Sequence, residues 1–122
     1  LVDTSVWIDH LHAPISPLVS RLDGDEVGCH PLVVEELALG SIRNRDVVLS
    51  SLQSLQSFPT LTHSELRDLV DRRRLWGRGL TAVDVHLLGS ALVASGTLWT
   101  RDKRLNATAR ELGVPTMRAG KT

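Results

Sequence analysis

Four short, largely apolar stretches are spaced along the chain, and the gaps between them carry helical periodicity. That alternation constrains the fold more than any single residue does. Residues 1–2 read as the tail of a buried strand, 26–29 as a second strand, 97–100 as a third and 114–117 as the last. Residues 59–61 form a further short extended piece. Helices are expected over 4–12, 31–39, 45–57, 63–76, 81–95 and 102–112, with a short one ending near Leu22 after the turn prolines Pro14 and Pro17. Pro31 suits a first helical position. Gly40, Gly96 and Gly113 suit helix ends, and Gly77-Arg78-Gly79 suits a break. Short apolar strands alternating with helices imply an α/β fold, a mostly parallel sheet with helices on both faces. The length of 122 residues fits one domain over 1–122.

Composition removes several classes of function. Fourteen Lys and Arg balance fourteen Asp and Glu, the formal net charge is zero and the pI is about 7.2. A strongly cationic nucleic-acid binder of the histone or ribosomal kind is therefore excluded. The hydrophobic fraction of 42% argues against disorder. Trp7, Trp76, Trp99 and Phe58 are the only aromatics, a poor basis for a base-stacking platform. Cys29 is the only cysteine, so an intrachain disulfide and a Cys-rich zinc site are both excluded. No apolar run approaches the roughly 18 residues of a membrane span. The start lacks the basic-then-apolar pattern of a signal peptide, and cytoplasm is the expected compartment.

Four acids stand where a purely structural reading is strained. Asp3 follows directly on a strand, at the end that lines the ligand crevice of a parallel sheet. Asp102 repeats that strand–Asp–helix layout. For both, the plain alternative is a helix N-cap. On a helical wheel for 31–40, Glu36 falls between Leu32 and Val33 in the apolar arc, whereas Glu35 falls in a polar gap. Glu36 is thus expected to face the core or a crevice, where an unpaired carboxylate is unfavourable. Asp84 lies on the apolar arc of the most apolar helix, although Thr81-Ala82-Val83-Asp84 also reads as a capping box. Several carboxylates in one crevice repel each other and raise each other's pKa, and a divalent cation removes that penalty. All-oxygen ligation selects Mg²⁺ or Mn²⁺ over Zn²⁺. Such an ion can activate water and stabilise charge on a phosphodiester.

These residues sit in segments that resemble a PIN-domain nuclease, and more narrowly a VapC-type toxin of a bacterial toxin–antitoxin pair. The resemblance runs through Asp3-Thr4-Ser5-Val6-Trp7-Ile8-Asp9-His10-Leu11 and Glu35-Glu36-Leu37-Ala38-Leu39-Gly40. It continues through Gly77-Arg78-Gly79-Leu80-Thr81-Ala82-Val83-Asp84 and Leu98-Trp99-Thr100-Arg101-Asp102-Lys103-Arg104-Leu105. Four segments in order span essentially the whole chain. The resemblance implies a three-layer α/β/α PIN-like fold with a mostly parallel central sheet. It also implies Mg²⁺- or Mn²⁺-dependent endoribonuclease activity with Asp3, Glu36, Asp84 and Asp102 as the metal-holding acids. Thr4 or Ser5 is expected to hydrogen-bond the carboxylates. RNA is the implied substrate, a VapB-type antitoxin the implied partner that occludes the site, and a homodimer the implied assembly. In-line attack by water would leave a 5′-phosphate and a 3′-hydroxyl.

The cations divide into two groups. Arg72-Arg73-Arg74 reads as a solvated helix face, paired through Asp68–Arg72 and Asp71–Arg74. Arg78, in a Gly-flanked loop, and Arg101, Lys103 and Arg104, around Asp102, are expected to hold RNA phosphates, a task that suits Arg. Trp99 is expected in the core, as is His86. Two other readings stay open. A Mg²⁺-dependent phosphoryl-transfer domain also uses strand-end Asp, but a dehalogenase-type start wants Asp at position 5, where this chain has Ser, and a receiver wants a late strand-end Lys where Asp102 stands. A PIN-like scaffold that only binds RNA or a partner would have no use for four acids.

Overall fold

A computed structural model describes residues 1–118; residues 119–122, the end of the expected domain, lie outside the described residues. The elements run α1 (Thr4–His12), α2 (Ser16–Asp23), β1 (Gly28–Cys29), α3 (Pro31–Ala38), α4 (Arg45–Gln53), β2 (Gln56–Ser57), α5 (His63–Arg73), α6 (Ala82–Ala94), β3 (Leu98–Thr100), α7 (Lys103–Glu111) and β4 (Thr116–Arg118). Every strand pairing is parallel, as the alternation of strand and helix requires. Gly28 lies opposite Gln56 in β1–β2, and Leu98 opposite Thr116 in β3–β4. Val2 bridges to Trp99 in parallel, and the Asp3 N–H donates to the Trp99 carbonyl at 2.8 Å. The first residues therefore run alongside β3 and end at the same edge. Among the described residues the strands form two separate pairs, not one continuous ladder.

The core is built by residues drawn from helices and strands alike. Val6, Leu18, Val33, Leu87, Leu88, Leu98 and Leu105 are fully buried. Burying one such side chain contributes roughly 1.5–3 kcal/mol. Helix α6 is the central one: Val85, Leu87, Leu88, Gly89, Ser90 and Ala91 are all buried. Gly89 is where α5 comes close, since a Cβ there would lie 2.1 Å from Leu61 Cδ1 and 3.3 Å from Leu69 Cδ2. Trp99 is in the core, as expected.

Several boundaries differ from the sequence expectation. The helix expected over 45–57 stops at Gln53, and Gln56–Ser57 is an edge strand instead. Serine hydroxyls compete for helix carbonyls, and Ser54 Oγ donates to the Ser51 carbonyl at 2.6 Å where the helix ends. Helix α5 ends at Arg73, ahead of Trp76, because Arg74 turns left-handed (φ 54°) and Leu75 folds back into the core. Helix α6 likewise closes through left-handed Ser95 (φ 53°) and not through Gly96. Gly96 instead makes room for Phe58, whose ring would come within 2.7 Å of a Cβ there.

Candidate metal centre

Parallel pairing of residues 1–2 with β3 puts Asp3 and Asp102 at one edge, because both follow the C-terminal ends of adjacent strands. Asp3 is buried, and both of its carboxylate oxygens accept hydrogen bonds. Its Oδ1 accepts the Thr4 N–H at 2.8 Å, and its Oδ2 accepts the Ser5 hydroxyl at 2.9 Å and the Thr100 hydroxyl at 2.6 Å. Asp102 is exposed, and its Oδ1 caps α7 by accepting the Arg104 and Leu105 N–H groups at 2.8 and 3.1 Å. The N-cap role anticipated for each Asp is therefore filled, and at Asp102 it engages one oxygen in the hydrogen bonds present.

Asp84, in the first turn of α6, closes the expected capping box: its Oδ2 accepts the Thr81 N–H at 2.9 Å and its N–H donates to Thr81 Oγ1 at 3.1 Å. It is half-buried. Burial pushes its carboxyl above the ordinary aspartate range; the Thr81 N–H and hydroxyl pull it back, and the negative Asp102 and Asp3 push it up further. Asp84 therefore stands in the electrostatic field of both strand-end acids, as carboxylates around one crevice must.

Glu36 corrects the helical-wheel expectation in part. It is exposed, not facing the core, because Val33 and Leu37 form the buried line of α3 and Glu36 lies on its flank. From there its Oε1 accepts the Thr4 hydroxyl at 2.5 Å, which ties α3 to the start of α1. Thr4 and Ser5 thus both serve the acids, one for Glu36 and one for Asp3. Glu35 is exposed, as expected.

Among the described residues, no three His, Cys, Asp or Glu side chains form a ready-made ligand group. The chemistry of the donors still fits a hard divalent cation. The four acids offer only carboxylate oxygens, the donors that hard divalent cations take.

The cations expected at RNA are mostly engaged within the chain. Arg101 forms an ion pair with Asp9 of α1, and its backbone N–H donates to Ser5 Oγ at 3.1 Å. Arg78 pairs with Glu111 at the far end of α7 and donates from Nε to the Arg74 carbonyl at 3.1 Å. Arg104 lies over Gly79, where a Cβ would come within 2.5 Å of its Nη1. Lys103 is exposed and belongs to none of the ion pairs found among the described residues. Asp68–Arg72 forms at 3.0 Å, as expected of a solvated face. Asp71–Arg74 is not among those pairs, since Arg74 has left the helix in a left-handed conformation.

Two residues escaped the sequence reading. Thr100 is buried against Asp3, and only pairing across the fold reveals it. His30 caps α3, accepting the Leu32 N–H at Nδ1 at 3.0 Å, with its ring 6.2 Å from that of a half-buried His86. A histidine ahead of Pro31 was the signal for that cap.

Sequence comparison places the chain among known relatives. A family model described as PIN domain matches residues 1–111. Two proteins named Ribonuclease VapC32, from Mycobacterium tuberculosis strains CDC 1551 / Oshkosh and ATCC 25618 / H37Rv, are each 65% identical over 115 residues, which is 93% of this chain and 93% of theirs. A parallel α/β chain with acids at two adjacent strand ends, matched along most of its length, belongs to the PIN-domain family, among its VapC-type members.

Proposed function

We propose that this protein is the endoribonuclease toxin of a type II toxin–antitoxin pair, and that Asp3, Asp84, Asp102 and Glu36 hold the Mg²⁺ or Mn²⁺ on which cleavage depends. The observation that carries this reading is the parallel run of residues 1–2 beside β3, which brings Asp3 and Asp102 to one edge, where the Thr100 hydroxyl bonds to the Asp3 carboxylate and accepts the Asp102 N–H. A divalent cation bound there supplies Lewis-acid stabilisation of the phosphodiester and a water made acidic enough to attack. The chain's own part is positioning. Thr4, Ser5 and the α7 cap fix the rotamers of three of the acids before substrate arrives. Arg78, Arg101, Lys103 and Arg104 hold RNA phosphates around them, and the site acts as a homodimer in the cytoplasm until a VapB-type antitoxin covers it. Residues 1–122 act as one domain.

The test is cleavage of a defined RNA by wild type and Asp3→Asn, with end-group analysis of the products. Wild type should leave 5′-phosphate and 3′-hydroxyl ends, and Asp3→Asn should leave the RNA intact. Equal cleavage by the two would overturn the assignment, and so would 2′,3′-cyclic phosphate ends.

Arg101 reaches phosphate only by leaving Asp9, and both are partly exposed. Such a pair is worth about 0.2–1 kcal/mol. Asp9→Asn, in an Asp84→Asn background that cannot cut, should therefore tighten RNA binding by about 1.4- to 5-fold. The slope of log affinity against log salt should steepen by about 0.7. Fluorescence anisotropy across a salt series measures both, and unchanged binding would remove Arg101 from the RNA contacts.

A further inference from the structure

Thr100 is the last residue of β3 and is buried, with 3% of its surface exposed. A threonine hydroxyl has one proton to give and lone pairs to receive, and here both are used, in different directions. The proton goes to Asp3 Oδ2 at 2.6 Å, and the oxygen accepts the backbone N–H of Asp102 at 3.0 Å. One side chain therefore links Asp3, which follows the residue bridged to β3, to Asp102, which follows β3 itself. Fixing the Asp102 N–H also fixes the start of α7, because the Asp102 carboxylate is already tied to the N–H groups of Arg104 and Leu105.

A second path runs parallel to it. Ser5 donates to the same Asp3 oxygen and accepts the Arg101 N–H. With the Thr4 N–H on Oδ1, three of the roughly four acceptor directions of the Asp3 carboxylate are filled. The Ser5 path ends on Arg101; only the Thr100 path ends on an acid.

We infer that Thr100 is a positioning residue for RNA cleavage: its hydroxyl sets the Asp3 carboxylate and the Asp102 backbone relative to each other so that both acids meet one cation. The inference rests on the metal-dependent reading above. Thr100 touches neither substrate nor metal in this role; it acts through Asp3 and Asp102. Groups that orient metal-holding side chains typically matter by about 10–100-fold in metal affinity or activity.

Thr100→Val keeps the branched shape that suits a strand end and removes both hydrogen bonds. Manganese binding to the RNA-free protein, followed by calorimetry, should weaken by about 10–100-fold. In steady-state RNA cleavage kcat should fall while KM stays the same, and Thr100→Ser should restore most of both losses. The inference is overturned if wild type needs Mn²⁺ and Thr100→Val binds it and cuts as well as wild type does. It is also overturned if Thr100→Ser is as impaired as Thr100→Val, since shape and not the hydroxyl would then matter. A fall in melting temperature with an unchanged manganese midpoint would show a structural role only. Should the valine variant fail to fold, Thr100→Ala is measured against the same outcomes. If wild type itself cuts RNA without any divalent ion, it is the metal-dependent reading that fails.

Discussion

Asp84→Asn is expected to abolish RNA cleavage and, in metal-free buffer at neutral pH, to raise the melting temperature. The two effects have one cause. Burial and the negative Asp102 and Asp3 raise the Asp84 carboxyl, so the native state binds its proton more tightly than the unfolded chain does. The stability associated with that proton is present at acid pH and is lost as pH rises from the ordinary aspartate value through the raised native one. At neutral pH a charged Asp84 therefore works against the metal-free fold. Asparagine removes the charge, and its side-chain carbonyl can still accept the Thr81 N–H, so the capping box is kept. The gain should vanish in a pH series below the aspartate range. On the catalytic side, metal-derived charge stabilisation is worth several kcal/mol, so kcat/KM should fall by about a hundredfold or more. Added Mn²⁺ should stabilise wild type by mass action and should stabilise the variant far less. A variant that melts lower than wild type across the whole pH range would show that Asp84 serves the fold alone.

Leu87→Ala should have the opposite profile. Leu87 is fully buried on α6, the helix that carries Asp84, and removing its branched end leaves a cavity at the centre of the core. Substitutions of this kind lower stability by about 2–5 kcal/mol, out of a total of about 5–15 kcal/mol for an ordinary domain. A fall in melting temperature of roughly 10 °C or more follows. Cleavage by the folded protein, measured well below the transition, should stay near wild type, because the hydrogen bonds that hold the acids come from Thr4, Ser5, Thr81, Thr100 and the first N–H groups of α7. Urea titration and low-temperature kinetics check the two halves. Loss of cleavage in protein that remains folded would mean that the position of Asp84 depends on the detailed packing of α6, beyond its capping box.

The sequence marked the local settings of the acids well and their surroundings poorly. Asp3, Asp84 and Asp102 were legible because local rules mark a strand end or a first helical turn. The wheel put Glu36 in the apolar arc of α3, facing the core or a crevice, whereas it is exposed on the flank of the buried Val33–Leu37 line, because how α3 lies against α1 is not a local property. Thr100 could not be read, because a threonine ending a strand is ordinary β-propensity and its partner is 97 residues away. Arg78 and Arg101 were placed near the site by chain proximity, whereas Glu111 and Asp9, which engage them, come from tertiary structure. The alternation of strands and helices survived in outline. Gln56 and Ser57 were missed as a strand because both are polar and exposed, and only their pairing with β1 makes them one. The helix ends at Arg74 and Ser95 escaped because the left-handed residue there is not a glycine.

We propose that the carboxylate edge works only when loaded with a divalent ion. The most direct measurement is RNA cleavage by wild-type protein stripped with EDTA, then refilled with Mg²⁺ or Mn²⁺ in a titration, alongside Asp84→Asn. Cleavage should be absent after stripping, return with either ion, and stay absent in the variant at every concentration. Full cleavage by the stripped protein, or restoration of the variant to the wild-type rate, would contradict the claim.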